Sequence, residues 1–165
     1  MIAGPHMLLR HPAMLIATGF GVGLSPVAPG TAASLVALAI AWAIHAVTGN
    51  PGLTVAAALV FAIGCWAADV VARVHRARDP DVVVVDEVAG QWLVLLAAPF
   101  DPLGWGFAFL LFRLFDISKP WPAGWVDRHV KGGLGIMLDD ILAAGYAVLV
   151  LTATPVIKEA LHVHL

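Results

Sequence analysis

The sequence predicts an all-α fold: a compact multi-helix membrane protein of about three to five apolar helices, some broken by Gly/Pro loops. Three observations support this. Hydrophobic residues make up 61% of the 165-residue chain and charged residues 12%, against roughly 45–50% and about 25% in an average soluble domain; the mean hydropathy is +0.91. No formally charged side chain occurs from His11 to Ala68, a stretch that accommodates two crossings at about 20 residues each. The charges that do occur crowd beside Gly, Pro and Trp between Arg113 and Asp140, in FRLFDISKPWPAGWVDRHVKGGLGIMLDD. A soluble helical protein with an Ala-rich core is the alternative, because most single apolar runs are short for a full span.

The chain reads as one domain, residues 1–165, with no linker, repeat or low-complexity tract. Its amino end, MIAGPHMLLRHP, is too broken by Pro and His to be a cleaved signal, so insertion would rely on internal spans. GFGVGLSPVAPGT holds too many glycines and prolines for a helix or an unbroken strand and is a loop. Thr31 or Ser34 then caps a helix that runs to about Val47 and stops near Thr48, Gly49, Asn50 and Pro51. A second helix runs from Leu53 to about His75. It ends in a basic edge of Arg73, Arg76 and Arg78, which places the loop from Arg73 to Asp81 in the cytoplasm.

Val82 to Val85 fits a short strand, whereas the spacing of Val88, Trp92, Leu95 and Leu96 fits a helix beginning near Asp86 and ended by Pro99 and Pro102. A further helix spans about Trp105 to Ile117 and breaks at Pro120 and Pro122; the last spans about Asp139 to Ile157. Five of the six tryptophans fall between Trp66 and Trp125, which suits a water–lipid boundary or a packed core. The single cysteine, Cys65, has no disulfide or zinc partner and reads as a small core residue.

Charges in so apolar a chain need a partner, water or a metal. Asp86 and Glu87 open an apolar helix, where the dipole favours anions and adjacent carboxylates either cap the helix or share a hard cation. Asp139 and Asp140 repeat the arrangement at the start of the last helix. Adjacent like charges raise one another's pKa unless a cation compensates, so Mg²⁺ between the two pairs is an economical explanation. Arg113 and Asp116, three apart, share a helix face, and Lys119 follows at the proline break. Arg and Lys are the usual phosphate ligands, which suits an anionic substrate in a metal-rich site. Gly132, Gly133 and Gly135, like the earlier glycine loop, would let backbone N–H groups approach phosphate oxygens.

Other chemistries are excluded or weak. No GxxxxGK[ST] loop exists, and the sixth position after Cys65 is Val71, where a cysteine-dependent phosphatase needs Arg. Asp79-Pro-Asp81-Val-Val formally matches the DxDx[TV] nucleophile motif of haloacid-dehalogenase-type phosphatases, but RVHRAR precedes it where that motif needs an apolar strand. The patterns of CDP-alcohol phosphatidyltransferases and of the KxxxxxxRP membrane phosphatases are absent. His129, His162 and His164 lack firm metal spacing and read as surface residues. A net charge of −2 and the lack of an aromatic–basic stripe argue against nucleic acid.

GFGVGLSPVAPGT, VVDEVAGQW and FRLFDISKPWPAGWVDRHVKGGLGIMLDDILAAG, in that order over most of residues 19–145, resemble the phosphatidylglycerophosphatase A family of bacterial membrane phosphatases. The resemblance implies Mg²⁺-dependent hydrolysis of phosphatidylglycerophosphate to phosphatidylglycerol and phosphate, a step of phospholipid biosynthesis, by a multi-pass protein whose active site faces the cytoplasm from the inner membrane. With the residue reading it implies that Asp86, Glu87, Asp116 and Asp140 hold Mg²⁺ and that Arg113 and Lys119 neutralise the phosphate. Asp139 would serve as general base or as covalent nucleophile, and Ser25, Thr31, Asp127 and Arg128 would make supporting contacts. Grooves between the helices would hold the acyl chains. Two rivals remain: a small transporter, which would spread polar residues along the depth of its spans, and a non-catalytic membrane subunit using the charged motifs as an interface.

Overall fold

The computed structural model describes residues 11–162, with side chains to residue 153. The expectations for the amino-terminal segment before His11, for the side chain of His162 and for His164 lie outside what is described. Among the described residues six α-helices form, with no strand: α1 (Pro12–Ala17), α2 (Pro29–His75), α3 (Val85–Leu95), α4 (Pro102–Ser118), α5 (Ala123–His129) and α6 (Gly132–His162). The all-α expectation holds, and the Val82–Val85 run is no strand: it leaves a turn at Val82 and enters α3 at Val85.

The segment between α1 and α2 is held by the buried Thr18, whose Oγ1 donates to the Met14 carbonyl at 2.8 Å and accepts from Gly21 N–H at 3.1 Å. Gly19 and Gly21 sit at φ 54° and 98° there, where glycine has no Cβ penalty. The Val84 N–H donates to the Ala17 carbonyl at 2.8 Å, tying this turn to the entry of α3. Neither Thr31 nor Ser34 caps α2: it starts at Pro29, with Ala28 at the cap position and no side-chain hydrogen bond. A proline at the first helical position needs no N–H partner and supplies a preset φ.

Continuous by hydrogen bonding, α2 is broken in shape at Gly49 (φ 65°, ψ −165°), two residues before Pro51. Its two arms fold back on each other. Ala33 and Val60 line one groove, which residues 27 apart on a straight helix, about 40 Å, could not do. The separate helices expected before Thr48 and after Leu53 are these arms. Ala37, Ala41, Leu53 and Ala57 share one buried cluster, so small side chains let the arms approach closely.

Against this hairpin lies α3, whose Trp92 indole N–H donates to the Ala37 carbonyl at 2.9 Å. Asp101 caps α4 by accepting from Gly104 N–H at 2.8 Å. The short α5 was not anticipated; Pro120 and Pro122 suggested only a break. The final helix also begins about two turns earlier than expected, at Gly132. Gly132 and Gly133 face α2: a Cβ at Gly133 would run into the Cys65 carbonyl and the Asp69 backbone nitrogen. Contact with α2 outweighs the poor helix propensity of glycine. Gly133→Ala is therefore expected to lower stability by about 1–3 kcal/mol, seen as a lower thermal midpoint, whereas Gly106→Ala, where a Cβ meets nothing within 4 Å, should leave it unchanged or raise it.

The outer surface is apolar. Leu103, Phe107, Leu110, Leu114 and Ile117 form an exposed stripe on one face of α4, and Leu35, Ile40, Val55, Leu59 and Ile63 are exposed on α2. Exposed apolar faces of this extent mark membrane or protein contact. Two helices, α2 and α6 over Gly132–Ala153, are long and apolar enough to cross a membrane.

Candidate active site

The buried polar residues are Thr18, Ser34, Asp86, Gln91, Asp116, Asp139 and Asp140. All but Thr18 and Gln91 belong to one cleft of about 560 Å³ or touch a residue that lines it. The first turn of α3 supplies Asp86 and Glu87, the end of α4 supplies Arg113 and Asp116, Lys119 follows at the α4 cap, and α6 supplies Asp139 and Asp140. Gly23, Ser25 and Gly30 close the cleft from the glycine loop and the start of α2. A Cβ at Gly30 would occupy the Glu87 carboxylate position and lie 3.2 Å from Arg113 Nη1, so any side chain here would displace that carboxylate.

Seven acids and two cations line the cleft. One ligand oxygen each from Asp86, Glu87 and Asp140 lies within 4.8 Å of the others. Asp116 adjoins them, its carboxyl touching that of Asp140, but it pairs with Arg113. Arg113 Nη1 also lies 3.8 Å from Glu87 Oε1 and 3.5 Å from Ser34 Oγ. Lys119 Nζ donates to Asp139 Oδ2 at 2.5 Å and to Asp127 Oδ1 at 3.1 Å.

Burial, and next to it the Glu87 charge, pushes the Asp86 carboxyl well above the usual carboxylate range. Burial likewise pushes Glu87 up to about 7. At Lys119 burial acts downward, but the hydrogen bonds and charges of Asp139 and Asp127 outweigh it and hold the ammonium above its usual value. Buried oxygens of Asp86, Glu87, Asp139 and Asp140 have no hydrogen-bond partner, whereas Asp116 Oδ2 is taken by the Arg113 ion pair. Unpaired buried carboxylate oxygens are costly, and hard oxygen donors gathered this closely suit a divalent cation such as Mg²⁺.

A pH dependence follows for the metal-free protein. Glu87 titrates near 7 when folded against 4.5 for an unperturbed glutamate, so between those values the folded state binds the proton more tightly than the unfolded chain. This contribution is complete below about pH 4.5 and is lost as pH rises through 7, on the order of 2–3 kcal/mol. In chelator, the thermal midpoint is expected to fall across that window, and Glu87→Gln should flatten the slope.

Several expectations are corrected by the geometry. Asp139 and Asp140 lie inside α6, not at its mouth. Gly132, Gly133 and Gly135 pack on Asp69, Cys65 and Val130, so they offer the cleft no phosphate cradle. Thr31 does not line the cleft, and Arg128 is exposed elsewhere, its carbonyl accepting from Arg78 Nη1 at 2.8 Å. Asp127 does not line the cleft but accepts from Lys119 Nζ, which does. Ser25 lines the cleft, with its hydroxyl donating to the Val27 carbonyl at 2.9 Å. His129 is exposed and stacked on Trp125, and Cys65 is partly buried against the α1–α2–α6 core.

Other residues escaped the sequence reading. Asp79 and Asp81 line the cleft mouth; the formal DxDxV match pointed at them, although for a different fold. Gly30 and Ser34 gave no signal beyond their place near the glycine loop. Gln91 is fully buried with both amide atoms unpaired, one turn beyond Glu87 on α3. A lone amide four residues from an acid in an apolar helix was the available cue.

Fold and site together define a class: an all-helical chain of membrane-protein composition with a buried carboxylate centre flanked by Arg and Lys. The phosphatidylglycerophosphatase A family profile matches residues 15–155, and the chain belongs to that family. It is 38% identical over 143 residues to the phosphatidylglycerophosphatase A of Escherichia coli K12, covering 86% of this chain and 83% of the relative. With the Haemophilus influenzae protein of the same name it shares 39% over 148 residues, 88% and 90% of the two chains. A Bacteroides thetaiotaomicron protein named putative phosphatidylinositol-3-phosphatase is 42% identical over 141 residues, 81% and 87%. No solved structure matches the chain.

Proposed function

We propose that this protein is a Mg²⁺-dependent phosphatase that hydrolyses phosphatidylglycerophosphate to phosphatidylglycerol and phosphate from the cytoplasmic face of a bacterial inner membrane. The observation that carries this reading is the convergence of Asp86, Glu87 and Asp140 within 4.8 Å, beside Arg113 and Lys119, in a chain related to two proteins named for that activity. Asp86, Glu87 and Asp140, with Asp116 alongside, would hold Mg²⁺, which would supply charge neutralisation at the phosphoryl oxygens. Arg113, fixed by Asp116, would orient the phosphate. Lys119 holds one oxygen of Asp139, leaving Oδ1 unpaired, and this oxygen would take a proton from the attacking water. Water oxygen bonds to phosphorus as the phosphorus–oxygen ester bond breaks, the leaving alkoxide takes up a proton from solvent, and Asp139 returns to solvent the one it accepted.

The apolar face of α3 supports a lipid substrate. Asp86 and Glu87 face the cleft, while Val85, Val88 and Trp92 line an apolar groove of about 260 Å³ shared with Ala33, Val36 and Ile40 of α2. Polar cleft and apolar groove thus share two helices, an arrangement that fits a phosphate headgroup joined to acyl chains. The exposed apolar bands on α2 and α4 would face hydrocarbon, and the arginines after α2 favour the cytoplasmic side.

The test is phosphate release by the purified protein from phosphatidylglycerophosphate in mixed micelles, with Mg²⁺ and with chelator. Release with Mg²⁺ and its loss in chelator are expected. Undiminished release in chelator would remove the metal assignment. Faster release from phosphatidylinositol 3-phosphate, in line with the name of the Bacteroides relative, would replace the substrate while keeping the chemistry.

A further inference from the structure

We infer that a second cleft, separate from the catalytic one and independent of the phosphatase reading, binds the headgroup of an anionic phospholipid. It lies at the carboxyl end of α2, has a volume of about 510 Å³, and is lined by Arg73, Arg76, Arg78 and Lys131 with a single acid, Asp69. Its charge is the inverse of the catalytic cleft. Arg73 already neutralises Asp69 at 2.6 Å, and no other acid lines the cleft. In a chain of net charge −2, this concentration of cations is local.

The surroundings identify the occupant. Leu59, Ile63 and Trp66 are exposed on α2, and their spacing of four and three continues on the same helical face to Arg73. From Leu59 to Arg73 this face covers about 21 Å, against roughly 15 Å for one leaflet of a 30 Å hydrocarbon core. An acyl chain lying along the stripe therefore delivers its phosphate to the level of Arg73, Arg76 and Lys131. Trp66, half-exposed two turns before Arg73, suits the boundary between hydrocarbon and headgroups. A soluble anion would have no use for the apolar approach, and basic pockets at the cytoplasmic end of spans select acidic headgroups.

Position also separates the two clefts. Arg78 lines the basic one, while Asp79 and Asp81, next along the chain, line the catalytic one. Arg78 Nη1 donates to the Arg128 carbonyl at 2.8 Å, joining this loop to α5, the helix that carries the Lys119 partner Asp127.

The full chain, reconstituted in phosphatidylcholine bilayers, is tested with spin-labelled phosphatidylglycerol and spin-labelled phosphatidylcholine, the readout being the protein-bound fraction of each label. The anionic label should be enriched over the zwitterionic one. Arg76→Gln with Lys131→Gln, both exposed positions, should lower that enrichment by roughly fivefold per cation removed, with an unchanged thermal midpoint. Equal binding of the two labels by the unsubstituted protein would overturn the inference. Enrichment that survives the double substitution would place the lipid in the catalytic cleft and also overturn it. Loss of enrichment on adding inorganic phosphate at constant ionic strength would reassign the cleft to free anions.

Discussion

Asp86→Asn and Asp140→Asn are each expected to lower Mg²⁺-dependent phosphate release by about 1,000-fold. Each removes a charged ligand from a group of three whose oxygens lie within 4.8 Å, and an amide is a far weaker partner for a hard cation. The stability effect should run the other way. In metal-free protein these carboxylates are buried, mutually repelling and partly unpaired, so neutralising one relieves repulsion and should raise the thermal midpoint in chelator. The gain on adding Mg²⁺ should shrink in the same variants. Retained activity in both would show that the three acids are structural and that the metal sits elsewhere or nowhere. An equal fall in activity with a lower midpoint in chelator would point instead to misfolding.

Lys119→Met is expected to destabilise the protein by about 3 kcal/mol. Lys119 bridges Asp139 and Asp127, and the Asp139 side chain is only 5% exposed, so its charge would be left buried without a partner. Removing one member of such a pair is far more disruptive than removing both. Adding Asp139→Asn to Lys119→Met should therefore recover part of the loss, with a coupling of about 1–3 kcal/mol in a double-mutant cycle. Denaturant midpoints at fixed pH measure this directly. A Lys119→Met midpoint within about 0.5 kcal/mol of the unsubstituted protein would mean that water screens the bridge. Phosphate release should also fall in Lys119→Met, because Asp139 Oδ1 loses its orientation.

Composition and spacing carried much of the fold. The apolar stretch to Ala68 announced long helices, Gly49 with Pro51 marked where the first of them stops but not that the second folds back on it, and the spacing of Val88, Trp92 and Leu95 located α3. Helix starts were read less well where packing overruled local preference. Gly132 to Gly135 looked like a loop because glycine disfavours helix, yet in the folded chain Gly132 and Gly133 lie so close to Asp69 and Cys65 that a side chain would not fit there, and Gly135 packs likewise on Val130. That error moved Asp139 and Asp140 to a helix mouth, although they lie inside α6. The acids themselves were identifiable because charge is rare in this chain, whereas Ser34 is uncharged and acquires significance only through burial beside Arg113.

By itself, then, the sequence determined the helical class, the membrane-type composition and the set of acids and cations that needed partners, since hydrophobic periodicity and the cost of isolated charge are local properties of a chain. Only the tertiary structure decided which of those charges meet. It joined Asp86, Glu87 and Asp140 across two helices, attached Lys119 to Asp139, and sent Thr31, Arg128 and the α6 glycines elsewhere. Those outcomes depend on how helices cross and how closely small residues let them approach, which side-chain chemistry along one segment does not encode.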